Sequence, residues 1–225
     1  MKNEEEVSGM KITIREPGSA ITHYIAMMLA MVAAVPLLIK ATYSQDIKHV
    51  IAMLIFIISM VLLYGASTLY HSVNLTGKPL KVFKKIDHMM IFVLIAGSYT
   101  PVCMLVLDKA QGYPLLGLVW GTAIVGMIMK LFWVTCPKWV SSVVYIAMGW
   151  ECVFVFKPLL TNLPVGAFLW LLIGGIIYTL GGVIYALKIP VLDKIHKHFG
   201  LHEIFHLFIM GGSFCHFMFM FLYVA

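Results

Sequence analysis

Apolar residues in this chain gather into runs of about 20, each long enough to cross roughly 30 Å of hydrocarbon. Seven such runs can be read: about Ala20 to Leu38, His49 to Val73, Ile86 to Leu107, Tyr113 to Trp133, Val140 to Phe156, Val165 to Leu187 and His202 to Val224. The fifth is short, and Glu151 interrupts it. Pro101 lies inside the third and predicts a kink, whereas Pro137, Pro158, Pro164 and Pro190 stand at loops or ends. The expected architecture is all-α: an integral-membrane bundle of seven transmembrane helices. Residues 1–19 are expected to form a short cytoplasmic segment ahead of a single seven-span domain over 20–225.

Composition agrees with that architecture. Of 225 residues, 61% are hydrophobic and only 12% charged, which excludes a water-soluble globular protein. The N-terminal MKNEEEVSGMKITIREPGS lacks the apolar core and small-residue cleavage site of a signal peptide. An excess of Lys over acids would suggest nucleic acid in a soluble protein. Here basic loops orient the spans and touch anionic lipid, so no nucleic-acid partner is expected. Twelve of the 16 Lys and Arg residues fall on the side of the N-terminus, with Lys40, Lys48, Lys109 and Lys157 opposite. The positive-inside rule then places the N-terminus in the cytoplasm and, after seven crossings, the C-terminus outside. A multi-pass protein of the plasma membrane is expected. Cys103, Cys136, Cys152 and Cys215 form no CxxC pair and read as small buried hydrophobes.

The polar residues within the spans carry the chemistry, because ionisable groups there are costly. The last span opens with LHEIFH, so His202 and His206 share one helix face one turn apart. The second span ends YGASTLYHSV, with Ser67 and His71 at the same spacing, and the third opens KKIDHMMIF, with Asp87 and His88. On the expected topology these three span ends meet at one depth. Three imidazoles with an open fourth position are the ligand set of a catalytic zinc, which would activate a water. Asp87 would then serve as general base or orient a ligand, and Ser67 would donate a hydrogen bond to a substrate oxyanion or to the water.

These motifs, S-x-x-x-H, the Asp of the third span and H-x-x-x-H, together resemble the progestin and adipoQ receptor superfamily, and DHMMIFVLIAGSYTP resembles its hemolysin III-like branch most closely. The resemblance covers the chain from about residue 16 onward. It implies a seven-helix fold with zinc held by His71, His202 and His206, Asp87 beside the metal-bound water and Ser67 in the motif's serine position. The related adiponectin receptors and alkaline ceramidases imply hydrolysis of a lipid amide. The hemolysin III branch takes its name from cytolysis and implies no particular substrate.

Each residue also has a plainer role open to it. The three histidines could pack helices and bond to backbone, Asp87 could cap the third span, and Ser67 could be a small packing residue. His88 points about 100° away from Asp87, and His216 reads as a buried hydrogen-bonded residue. His23 and His49 read as interfacial, His196 and His198 as solvated loop residues. Glu151 is expected to make a structural hydrogen bond across helices. HEIFH also matches H-E-x-x-H, in which Glu203 would be the base of a zinc protease. That leaves Ser67, His71 and Asp87 unexplained, so Glu203 is expected to be incidental. The expectation is therefore a zinc-dependent membrane hydrolase acting on a lipid amide or ester from the bilayer. The alternatives are a receptor or membrane-perturbing protein with a structural zinc, and a pore.

Overall fold

A computed structural model of the chain describes residues 13–192, 195 and 199–225. His196 and His198 lie outside them, as do Lys2, Lys11, Lys194 and Lys197, four of the twelve basic residues on the side of the N-terminus. Seven helical segments are long and apolar enough to span a membrane, and no strand occurs among the described residues. They are α1 (Pro17–Thr42), α2 (Ile47–Ser72), α3 (Gly77–Pro101) with a π turn at Val102–Val106, α4 (Lys109–Phe132), a composite fifth span, α7 (Val165–Leu187), and α8 (Leu201–Phe219) with a π turn at Met220–Val224. The fifth span is α5 (Lys138–Gly149), a 3-10 turn (Glu151–Val155) and α6 (Phe156–Asn162). The outer surface is apolar, with residues such as Leu29, Val32 and Phe132 widely exposed. Such a surface suits lipid rather than water.

Local chemistry explains the irregular places. Pro101 lacks an N–H and its ring crowds the preceding turn, so α3 gives way to the π turn there, as the predicted kink requires. The fifth span breaks beside Gly149 and Trp150, and the hydroxyl of Tyr99 repairs the break. It donates to the Gly149 carbonyl at 2.6 Å and accepts from the Cys152 N–H at 2.9 Å. Backbone groups freed inside a bilayer need such a partner. The buried Oε2 of Glu151 has no hydrogen-bond partner, while Thr122 of α4 hydrogen-bonds to its carboxyl across helices, as expected.

The helices close into a ring: α1 packs on α2, α2 on α3, α3 on α4, α4 on α5, α5 on α7, α7 on α8, and α8 back on α1. Close approach depends on small residues. A Cβ at Gly212 would lie 2.6 Å from the Tyr178 ring, so only glycine lets α8 meet α7 there. One residue on, Ser213 lies 2.6 Å from the Tyr64 hydroxyl of α2 and 2.8 Å from that of Tyr178, tying three spans together. The closure of α8 against α1 and α2 brings the ends carrying Glu16, His71 and His202 into one place.

Candidate metal centre

His71 ends α2, while His202 and His206 occupy the first two turns of α8. Their ligand nitrogens lie within 4.8 Å of one another, close enough to hold one metal ion. His71 and His206 are both 2% exposed. The Nε2 atoms of His71 and His202 are 3.2 Å apart.

The far nitrogens of two of these rings are held from outside. His71 Nδ1 is bonded to the Glu16 carboxylate, which can only accept, so the ring proton sits on Nδ1 and the Nε2 lone pair points inward. His206 Nδ1 lies 3.0 Å from Thr22 Oγ1. That hydroxyl spends its own proton on the carbonyls of Ser19 and Gly18, at 2.9 and 3.1 Å. It must therefore accept from His206, which again leaves Nε2 as the free lone pair. Carboxylate or oxygen partners on the outer nitrogen are the usual second layer around metal-binding imidazoles, so the donor set fits a zinc ion.

Glu16 precedes Pro17 at the start of α1. Its N–H donates to the His71 carbonyl at 3.0 Å, and its carboxylate also meets Arg15 at 3.2 Å. The bond from His71 lowers its pKa below the usual carboxylate value against the opposing effect of burial, with further help from the charge of Arg15. His23 differs from its interfacial expectation. It is 3% exposed and stacks on His206, with ring centroids 3.6 Å apart, because α1 packs against α8. None of Glu16, Thr22 and His23 was singled out as a site residue in the sequence. Their signal is Glu16, Ser19 and Thr22 recurring every three residues, with His23 four residues after Ser19, at the head of an apolar helix.

Asp87 cannot cap the third span, because α3 begins ten residues earlier at Gly77. It is 8% exposed, and its Oδ2 lies 3.3 Å from His88 Nδ1. Ser67 is 1% exposed and its hydroxyl has no hydrogen-bond partner. Ser67, Asp87, His202 and His206 share the wall of one cavity of about 200 Å³. Neither Asp87, Ser67 nor His88 belongs to the ligand group itself. Glu203 stays out as well. Its carboxylate accepts from the Gly200 N–H at 2.8 Å, capping its own helix, and from the Ser19 hydroxyl of α1.

The cavity follows one stripe of α3, through Lys84, Asp87, Ile91, Leu94 and Ser98. From Lys84 to Tyr99 it runs roughly 22 Å along the helix axis at 1.5 Å per residue. Its walls are mainly apolar away from the histidine end.

The sequence matches the family model described as "Haemolysin-III related" over residues 12–217. It is 40% identical over 203 residues to the "Hemolysin-3 homolog" of Bacillus subtilis (strain 168), covering 89% of this chain and 91% of that protein. It is 37% identical over 210 residues to "Hemolysin-3" of Bacillus cereus, covering 93% and 92% of the two chains. With seven spans, a histidine cluster at one end and these relatives along nearly its whole length, the chain belongs to the haemolysin-III related family of multi-pass membrane proteins, with the plasma membrane its expected location.

Proposed function

We propose that this protein is a zinc-dependent membrane hydrolase that cleaves a lipid amide or ester. The observation carrying this reading is the position of the histidine cluster. The cluster of three imidazoles, two with their free lone pairs fixed by Glu16 and Thr22, adjoins a long apolar cavity whose polar end is walled by two of them, His202 and His206.

His71, His202 and His206 would hold the ion. Bound there, zinc would supply Lewis acidity, acidifying water and polarising an acyl carbonyl. Asp87 lines the same cavity and would take the proton of an attacking water, then return it to the departing amine or alcohol. The Ser67 hydroxyl, which has no partner in the protein, would donate to the carbonyl oxygen as negative charge develops on it. The apolar stripe of α3 would receive the acyl chain, entering from the bilayer. Three protein ligands leave a coordination position open, as in catalytic rather than structural zinc sites, where the fourth is closed.

The names of the relatives favour a second reading, in which zinc staples α2 and α8 in a membrane-perturbing protein. Asp87→Asn separates the two. Detergent-purified protein would be given a panel of N-acyl and O-acyl lipids, with released fatty acid and bound zinc measured together. The hydrolase reading predicts turnover by wild type and a loss of about a hundredfold or more in the variant with zinc retained. Absence of hydrolysis across the panel by zinc-loaded wild type would favour the staple.

A further inference from the structure

At the same end of the molecule lies a second reactive cluster, built from α4, α5 and the turn between them. Lys130, in the last turn of α4, is 0% exposed. Its Nζ lies 3.1 Å from Cys136 Sγ and 2.5 Å from Ser141 Oγ, and Cys136 and Ser141 are 3.2 Å apart. No carboxylate among the described residues forms an ion pair with this ammonium. A buried charge without an opposite charge is strongly disfavoured. Of the two groups that touch Lys130, the thiol is the stronger acid, and Lys130 Nζ stands where it can take the thiol proton and hold the thiolate that forms.

Cys136 departs from the expectation that all four cysteines are inert hydrophobes. Burial raises its pKa, but the hydrogen bonds from Ser141 and Lys130 and the charges of Lys130 and Lys84 outweigh this and lower it overall. Cys136 and Ser141 both form part of the wall of the long apolar cavity, while Lys130 stands behind them. That cavity also holds buried polar atoms without protein partners, Ser67 Oγ and both ring nitrogens of His23. Such atoms call for an occupant with polar groups at this end and an apolar body beyond.

We propose that Cys136 is an S-acylation site, which accepts a long acyl chain from a thioester donor on the cytoplasmic side and houses that chain in the cavity. Lys130 takes the Cys136 proton as the thiolate forms. The thiolate attacks the donor's carbonyl carbon, a new S–C bond forms, and the donor's own C–S bond breaks. The departing thiolate takes the proton from Lys130. One thioester replaces another, so the exchange needs no oxidant or further energy source. The groups acting on Cys136 are Lys84 from α3, Lys130 from α4 and Ser141 from α5; the Tyr145 ring lies 5.7 Å from Lys130 Nζ. The acylated protein carries its chain where the proposed hydrolase would bind one. The chemistry at Cys136 is independent of metal.

The test uses full-length protein in detergent, stripped of metal with a chelator and incubated with palmitoyl-coenzyme A. Intact mass and peptide mapping would show one hydroxylamine-labile palmitoyl group on Cys136, absent from Cys136→Ser and unchanged in Cys103→Ser. Lys130→Met should slow uptake about tenfold or more at neutral pH, with the gap closing at alkaline pH as the thiol ionises unaided. If that variant does not fold, the wild-type rate of Cys136 alkylation by iodoacetamide against pH replaces it. Its midpoint should lie below the ordinary thiol value of about 8.5. A midpoint at or above that value, no acylation of wild type, or acyl groups spread over Cys103, Cys152 and Cys215 would overturn the proposal. Because the protein is metal-free throughout, these outcomes are separate from success or failure of the zinc hydrolase.

Discussion

His71 and His202 are 131 residues apart in the chain, yet their Nε2 atoms face each other across 3.2 Å. With the His71 proton held on Nδ1 by Glu16, its inner nitrogen is a lone pair. Two lone pairs at that distance repel unless a proton or a cation stands between them. A proton on His202 Nε2 would relieve that repulsion, and so would a bound cation.

The outer partners should therefore tune metal affinity without touching the metal. Glu16→Gln keeps an oxygen acceptor for His71 but removes the charge, and Thr22→Val removes the acceptor for His206 in nearly the same volume. Each is expected to weaken zinc about 10- to 100-fold, read by competition with a chromogenic chelator. Equal affinities in wild type and both variants would mean that the outer bonds orient nothing.

Glu203 provides the converse case. Its carboxylate caps α8 through Gly200 and clasps Ser19 of α1. Glu203→Gln should therefore cost about 1 kcal/mol of stability, seen as a lower melting temperature in detergent. Zinc content and any hydrolysis should be retained. A protease using HEIFH would instead lose its turnover in this variant.

Packing between α7 and α8 rests on Gly212. In Gly212→Ala the added Cβ would press on the Tyr178 ring and part Tyr178 from Ser213. Overpacking of this kind costs about 1–3 kcal/mol, so the melting temperature should fall. In contrast, Gly175→Ala adds its Cβ into open space and should leave it unchanged.

The sequence is most informative where one physical demand dominates. Val165–Leu187 is read to the residue because Pro164 and Lys188 flank an uninterrupted apolar run. The start of α3 is missed by nine residues because GKPLKVFKK is too polar to count as membrane, although it is helical. The fifth span reads as short because Glu151 interrupts it and Lys157 and Pro158 end the apolar run at Phe156, while α6 continues the crossing to Asn162. His71, His202 and His206 are visible through four-residue spacing on two helices. Glu16, Thr22 and His23 are not, since a charged N-terminal segment and a span-end histidine look like ordinary interfacial residues. Only the packing of α1 against α8 turns them inward. Lys130 counted as one more basic residue at the span ends, and only its burial reveals the thiol beside it.

The central claim is that α2 and α8 share one metal ion. Its most direct test is the metal content of detergent-purified protein never exposed to chelator, measured for wild type, His71→Ala and His202→Ala. About one zinc per chain in wild type, lost in both variants while they remain monodisperse, is the expected result. A well-folded wild-type protein with little zinc, or full zinc occupancy in either variant, would contradict it.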